Sequence, residues 1–261
     1  MTPFFRKLPP WPIKRFINGI GSAIAFLTVI PMPARWVDPL RTPGQGLAWF
    51  PLVGVLIGGL MVTCAVWLSD KNAFIAAVWT LCLSVGITGA LHLDGLADTA
   101  DAWGGGRGSR ERALEIMRDP RCGAFGVTAV VMACLLNVAA LTYLIEHEQW
   151  WPIFLAPVAA RGALLPMLAF TPYVRAQGIG SEFAAHAPPR LIGGVISLLA
   201  AMTIALAGWM GFYVVAAALA GVLILRAVFK RWLGGITGDT LGATVIVIEI
   251  VVLMAGVFVP A

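Results

Sequence analysis

Charged residues are scarce in this sequence: they make up 12% of its 261 residues, whereas 59% are apolar. Soluble domains are about 25% charged and about 45–50% apolar. Too little polar surface is therefore available to cover a water-soluble globule, and the high apolar content excludes a disordered chain. The composition predicts an integral membrane protein.

Cysteine is also scarce, and its pattern excludes two kinds of site. The four cysteines, Cys64, Cys82, Cys122 and Cys134, form no CxxC pair, and three of them lie within apolar runs. We therefore predict neither a disulfide framework nor a zinc site. The net charge of +5 is not accompanied by a basic–aromatic pattern. We expect no nucleic-acid partner, because an excess of basic residues in a membrane protein determines how the chain is oriented in the membrane.

Long apolar runs are the main feature of the sequence. A helix needs about 20 apolar residues to cross the hydrocarbon of a bilayer. Since no internal repeat or linker divides the chain, we predict an all-α, polytopic helical bundle in a lipid bilayer, with residues 1–261 forming one domain. Its seven predicted spans are Leu47–Leu68, Ala73–Leu93, Cys122–Ile145, Trp151–Phe170, Leu191–Gly208, Trp209–Phe229 and Gly242–Val259.

An eighth apolar segment, Ile17–Ile30, is shorter than a span and follows four basic residues. We predict that it lies in the interface or re-enters the membrane, and a cleaved signal peptide is the alternative. If this segment does not cross, every basic loop falls on one side of the bundle. The positive-inside rule then predicts a cytoplasmic N-terminus and an external C-terminus.

Carboxylates are concentrated in one predicted cytoplasmic stretch, which holds six of the thirteen acidic residues. At about 100° per helical residue, Asp94, Asp98 and Asp101 fall on one narrow face. Like charges at this spacing repel, and the helix dipole near the end of a span disfavours carboxylates. A hard cation, Mg²⁺ or Mn²⁺, would neutralise them; a solvated acidic helix end is the alternative. His92 lies away from this face, and we predict a structural role for it.

A glycine-rich turn with surrounding arginines follows the acidic face. The backbone N–H groups at Gly104 and Gly105, together with nearby guanidinium groups, could bind a phosphate. Ser109 is predicted to cap the helix that comes next. The predicted catalytic loop therefore covers residues 94–121, and a flexible loop with surface ion pairs is the alternative for its second half.

A second polar segment, residues 230–243, opens the last predicted span. It joins Lys230, Arg231 and Asp239 through glycines, on the same predicted side of the membrane as the acidic face. Basic residues that anchor a helix at the cytoplasmic surface would explain Lys230 and Arg231 but not Asp239. We therefore interpret this segment as another part of one phosphate and metal site.

Two ionisable residues lie within predicted spans: Arg161 in the fourth and Glu249 in the seventh. A charge at this depth costs a few kcal/mol unless it is paired or hydrated. Either a functional role or a pair that fixes helix packing would explain them.

These motifs together resemble the cobalamin synthase family, the adenosylcobinamide-GDP ribazoletransferases or cobalamin 5′-phosphate synthases. The resemblance covers nearly the whole chain. The sequence departs from the family pattern at Val29, where a basic residue is common, at Ala160, where serine is frequent, and at Ile246, which replaces an acid of some members. The matching segments are Phe26–Pro31, Phe50–Gly54, His92–Asp101, Leu114–Asp119, Gly123, Gly126 and Thr237–Ala243.

The resemblance implies an Mg²⁺-dependent phosphotransferase in the cytoplasmic (inner) membrane of a bacterium, with its site facing the cytoplasm. A ribose hydroxyl of α-ribazole or its 5′-phosphate would attack the cobinamide-side phosphorus of adenosylcobinamide-GDP and release GMP. Asp94, Asp98 and Asp101 would hold the metal, Mg²⁺ or Mn²⁺. Asp98 and Asp239 are both open as the general base, and a homo-oligomer is left open. The candidate substrate contacts are Arg112, Arg118, Arg161, Lys230, Arg231, Gly104 and Gly105.

Two other functions fit parts of the pattern. A CDP-alcohol phosphotransferase also uses aspartates at a helix end, but its motif places Ala-Arg after Asp-Gly, where this chain has Ala97-Asp98. A transporter would place its ionisable residues near the membrane midplane, often in two related halves. The acids of this chain crowd one face instead.

Overall fold

The computed structural model of the chain describes residues 12–37, 46–175 and 179–259. The described part is helical apart from its connecting segments. Its elements are α1 (Pro12–Leu27), a 3₁₀ turn (Ala34–Trp36), α2 (Phe50–Ser69), α3 (Ala73–Thr88), α4 (Leu91–Gly105), α5 (Arg110–Ile116), α6 (Ala124–Glu146), α7 (Trp150–Phe170), α8 (Ile179–Ala185), α9 (Pro189–Leu233) and α10 (Gly238–Phe258).

Five helices of the described chain, α2, α6, α7, α9 and α10, are long and apolar enough to cross a membrane, and α3 with α4 forms a bent pair that adds a sixth. The prediction of an all-α, polytopic membrane protein is therefore confirmed. The 45-residue α9 is interrupted at Gly208, which has φ 56° and ψ −131°. Gly211 returns to contact the Thr203 carbonyl, so residues 189–207 and 209–233 form a helical hairpin. With its two arms counted separately and the bent pair counted as one span, the described chain has seven candidate spans.

The predicted continuous helix Ala73–Leu93 is wrong, because the chain bends by 88° between α3 and α4. Gly89 and Ala90 both have a left-handed backbone, with φ 60° and 58°. A side chain at Gly89 would collide with Val29, whose N–H donates to the Ile87 carbonyl at 2.8 Å. The segment after α1 thus packs on the end of α3 and fixes the bend.

Close backbone approaches at glycines hold the bundle together. Gly54 and Gly58 of α2 pack on the backbone of α7 at Val158 and Phe154 respectively, as small residues do between membrane helices. This register makes the two helices antiparallel. Asp70, just after α2, therefore lies at the end of the bundle opposite to the end of α7 at Phe170.

The contact between α4 and α10 positions the functional residues. Gly95 and Gly242 face each other, and a Cβ at Gly95 would lie 3.0 Å from the Gly242 Cα. Because no side chain separates the two backbones, the start of α4 lies directly against the start of α10. The two polar segments predicted from the sequence meet at this crossing.

The short N-terminal helix is confirmed as a helix, α1, and is too short to span a bilayer. Near its end, the Phe26 ring stacks on Phe50 of α2, with ring centroids 5.8 Å apart. Phe26 also contacts Phe183 of α8, at 5.2 Å. These aromatic contacts attach α1 to the bundle beside the crossing of α4 and α10.

Candidate active site

Asp94 and Asp98 of α4 lie near Asp239 of α10. Asp94 is exposed, whereas Asp98 and Asp239 are half-buried. The charge of Asp98 interacts with those of Asp239, Asp94 and Asp101. Since α4 begins at Leu91, Asp94 belongs to the first turn of a helix. The helix dipole there favours a carboxylate, which reverses the sequence-based argument that this face lies at a helix end unfavourable to acids.

Asp101 faces a different neighbour. Its carboxylate accepts hydrogen bonds from the backbone N–H groups of Gly123 and Gly126, at 2.7 and 2.8 Å. These groups belong to the first turn of α6, where unpaired N–H groups and the helix dipole attract a negative charge. Side chains at either glycine would collide with the carboxylate. Asp101 therefore caps the N-terminus of α6.

Arg175 is a site residue that the sequence reasoning missed. Its guanidinium forms an ion pair with Asp239 at 2.8 Å and donates to the Met117 carbonyl at 3.1 Å. A parallel bridge between Tyr173 and Ile236 brings this loop to the start of α10. One arginine thus links the loop after α7, the loop after α5 and the carboxylate of Asp239.

Thr237 and Tyr173 complete the surroundings of Asp239. Thr237 caps α10: its side chain accepts from the Thr240 N–H at 3.2 Å, and its hydroxyl donates to Asp239 at 3.4 Å. Burial raises the pKa of the Tyr173 hydroxyl, so this group stays protonated at neutral pH. The Thr237 hydroxyl and the Arg175 guanidinium together hold Asp239 in one orientation.

A cavity of about 250 Å³ lies between α1, α4, α7 and α10. Asp94 and Asp239 line it, together with His92, Gly95, Tyr173 and Gly242. A wider cleft of about 550 Å³ adjoins it, shares the Tyr173 and Leu168 side chains and is lined by Arg175. The acidic cavity and the cleft with the arginine thus meet at the Arg175–Asp239 ion pair.

The basic residues predicted to contact the substrate have different local arrangements. Ser109 caps α5, as predicted, by accepting from the Arg112 N–H at 3.2 Å. The Arg112 side chain pairs with Glu115 at 2.7 Å on the surface, in agreement with the alternative of surface ion pairs. Lys230 and Arg231 are exposed in the last turn of α9. An apolar cluster of Ala102, Ala113, Met117 and Leu233 holds the two polar segments together.

Arg118 is exposed in the turn after α5. Next to it, Arg121 donates to the two carboxylate oxygens of Asp119, at 2.9 and 2.7 Å. These hydrogen bonds lower the pKa of Asp119 to about 2. Asp119 is therefore ionised at neutral pH and offsets part of the positive charge beside Arg118.

The glycine phosphate cradle expected at Gly104 and Gly105 is not formed. Both residues belong to the last turn of α4, where helical geometry directs N–H groups back into the helix and leaves carbonyls at the end. Gly104 instead accommodates the Phe125 ring, and Gly105 lies next to Ile116. Close packing explains these glycines.

Comparisons with known proteins agree with this arrangement. The family model for cobalamin-5-phosphate synthase matches residues 19–257. The chain belongs to the cobalamin-5-phosphate synthase family. A relative from Pseudomonas fluorescens is 41% identical over 232 residues, covering 89% of this chain and 96% of its own. One from Acinetobacter baumannii is 39% identical over 236 residues, covering 88% and 93%. Both are named adenosylcobinamide-GDP ribazoletransferase. No solved structure matches the chain.

Membership of the cobalamin-5-phosphate synthase family decides against the two other functions considered from the sequence, a CDP-alcohol phosphotransferase and a transporter. The motif segments that carry the resemblance fall within the matched residues 19–257. In the structure, the family's acidic block and its glycine–aspartate block form the two sides of the crossing between α4 and α10.

In this member of the cobalamin-5-phosphate synthase family, Arg161 lies apart from the acidic cavity. Its side chain is 1% exposed and forms an ion pair with Glu249 of α10. A small cavity of about 20 Å³ adjoins the pair and is also lined by His92 and Asn137. The packing alternative left open by the sequence therefore matches the structure, whereas substrate contact by Arg161 would require this interior to open.

The carboxylates partly fit a magnesium ion. Among the described residues, no three His, Cys, Asp or Glu side chains are grouped so that they could hold a metal by themselves. Mg²⁺ is commonly bound by one or two carboxylates together with water and substrate phosphates. Asp94 and Asp98 of α4 provide two such oxygen donors, of which Asp94 lines the cavity, while Asp101 is directed towards α6.

Proposed function

We propose that the chain is an adenosylcobinamide-GDP ribazoletransferase, which transfers the cobinamide-phosphate moiety to α-ribazole or α-ribazole 5′-phosphate and releases GMP. The observation that carries this proposal is the acidic cavity of Asp94 and Asp239 beside Arg175, in a chain of this family. The product is adenosylcobalamin or its 5′-phosphate, formed late in cobamide biosynthesis.

The chemistry requires few groups. A ribose hydroxyl attacks the cobinamide-side phosphorus, the bond from that phosphorus to the bridging oxygen breaks, and GMP leaves with the bridging oxygen. Positioning and electrostatic stabilisation supply most of the acceleration in such reactions. Arg175, which lines the wider cleft, would supply positive charge for the phosphates, and the exposed Arg118, Lys230 and Arg231 are the further candidates.

Asp94 and Asp98 would hold Mg²⁺, with Mn²⁺ as a substitute, and the ion would neutralise charge on the pyrophosphate. Asp239 is the candidate that takes the proton of the attacking hydroxyl, because it lines the cavity and is not among the predicted metal ligands. A carboxylate that is committed to a metal is a poor base, which argues against Asp98 in this role. Thr237 and Arg175, which contact its carboxylate, orient the base.

We further propose that the site faces the cytoplasm of a bacterial inner membrane. The arginines and lysines of α5, of the end of α9 and of the loop at Arg175 lie on the site's side. The turns at the opposite side, residues 70–72, 147–149 and the bend at Gly208, contain one lysine, Lys71, and no arginine. This asymmetry supports a cytoplasmic site by the positive-inside rule.

Purified protein in detergent tests the activity. With adenosylcobinamide-GDP, α-ribazole and Mg²⁺, we expect equal amounts of GMP and cobamide, measured by liquid chromatography. Addition of EDTA is expected to stop the reaction, and Mg²⁺ or Mn²⁺ to restore it. A folded preparation that releases no GMP would exclude the proposed reaction.

Replacement of Arg175 is expected to impair turnover strongly. Arg175→Ala removes a charge-assisted contact at the site, and we expect kcat/KM to fall about 100-fold. Arg175→Lys retains the charge on a shorter side chain that lacks the planar guanidinium, so an intermediate value is expected. The measurement is steady-state GMP release, with Arg190→Ala, an exposed arginine in the first turn of α9, as the matched control. Equal rates for the two alanine variants would contradict a role for Arg175.

A further inference from the structure

The acidic cavity has an apolar wall that the phosphate chemistry does not use. Phe26 and Leu27 of α1 form one part of it, and Leu164 and Leu168 of α7 another. Asp94 and Asp239 line the same cavity of about 250 Å³. One space thus offers both aliphatic and aromatic surface and two carboxylates.

The ring of Phe26 is held in a fixed orientation. It stacks on Phe50 with an interplanar angle of 18° and lies at 58° to Phe183. Phe50 and Phe183 are fully buried, whereas Phe26 is half-buried. An aromatic ring supported from behind in this way is suited to stack against the flat face of a ligand.

We propose that this cavity binds the bicyclic aromatic base of the acceptor nucleoside and directs its ribose hydroxyls towards Asp239. The inference rests on the proposed function and assigns one of its two substrates to a place. The Asp239 carboxylate can accept hydrogen bonds from the ribose hydroxyls. The apolar wall matches a benzimidazole and does not match a phosphate.

The sizes of the two spaces support the same assignment. Pockets for drug-sized ligands have about 300–1,000 Å³, so a cavity of about 250 Å³ accommodates a small nucleoside base and excludes a corrin macrocycle. The wider cleft, lined by Arg175, has about 550 Å³ and opposite charge. The phosphates of the donor fit there, and the ion pair of Arg175 and Asp239 lies where the two substrates must meet.

Two substitutions in the apolar wall test the assignment. Leu164→Phe fills part of the cavity, and we expect the KM for α-ribazole to rise at least about tenfold. Phe26→Leu removes the stacking surface, and a rise of about tenfold is expected. The KM for adenosylcobinamide-GDP is expected to change less than about twofold in both variants, because the donor does not contact this wall.

Leu198→Phe is the matched control, since this α9 residue is 62% exposed and does not line the cavity; its kinetics are expected to equal those of the wild type. A riboside with the smaller imidazole base gives a second measurement, and Leu164→Phe should accept it better relative to α-ribazole than the wild type does. If a thermal melt shows that Leu164→Phe does not fold, the KM of Phe26→Leu for α-ribazole tests the assignment alone.

The outcomes separate this inference from the proposed function. Wild-type protein that forms a cobamide, with an unchanged acceptor KM in both wall variants, would overturn the nucleoside pocket and leave the activity intact. A rise in the donor KM in place of the acceptor KM would also overturn it. If the wild type releases no GMP with either acceptor, the proposed function itself fails.

Discussion

Asp94→Asn is expected to lower kcat by about 100- to 1,000-fold, because it removes a negative charge that acts on the metal and phosphates where charge develops in the transition state. Asp94 is exposed in the first turn of α4, whereas the Asp101 carboxylate accepts two backbone hydrogen bonds. The melting temperature in detergent should therefore stay close to that of the wild type. Initial rates of GMP release and a thermal melt on the same preparation give the two values.

Two other aspartates serve as controls for this experiment. Asp70→Asn changes an exposed carboxylate at the opposite end of the bundle, so activity and melting temperature should both be unaffected. Asp101→Asn exchanges a carboxylate that accepts two backbone hydrogen bonds for an amide with one acceptor oxygen. A loss of about 1–3 kcal/mol in the free energy of unfolding is expected. Near-normal turnover in Asp94→Asn, measured at saturating Mg²⁺, would refute the metal role of this residue.

The contrast between Asp94 and Asp101 is informative because sequence periodicity treats them alike. Both fall on one helical face, and the resemblance assigns both to the metal. What separates them is the position of α6, whose first N–H groups lie next to Asp101. Helical spacing contains no information about a neighbouring helix that begins 23 residues later, so this difference emerged only from the structure.

The transmembrane helices were predictable because their apolar composition reflects the bilayer directly. The bend between α3 and α4 was not, since the apolar run continues through Gly89 and Ala90 without interruption. The bend depends on the packing of Val29 on Gly89, a contact between segments about sixty residues apart. Local sequence alone cannot report such a contact.

The meeting of the two polar segments was predictable for a different reason. The positive-inside rule predicts that both lie on one side of the membrane, whereas the contact between Gly95 and Gly242 brings Asp94 and Asp239 to one site. Arg175 was not predicted, because its position depends on backbone pairing of Tyr173 with Ile236. In the sequence it is one of several loop arginines with no distinguishing pattern.

The second large effect is expected at Arg161, in the interior of the bundle. Arg161→Met leaves the Glu249 carboxylate buried among apolar helices without its partner. Breaking a buried ion pair in this way costs about 3–5 kcal/mol. We expect a loss of this size in the free energy of unfolding, measured by denaturant titration in detergent.

The double variant Arg161→Met/Glu249→Leu distinguishes packing from substrate binding. Removal of both charges leaves no unpaired ion, so most of the lost stability should return, as replacement of a buried pair by apolar groups is often neutral or favourable. If Arg161 acts only in packing, the stable double variant also keeps a near-normal KM for adenosylcobinamide-GDP. A raised donor KM in a double variant of wild-type stability would instead place Arg161 in contact with substrate. In that case His92 would connect the Arg161–Glu249 pair to the substrate, because it lines both the small inner cavity and the acidic cavity.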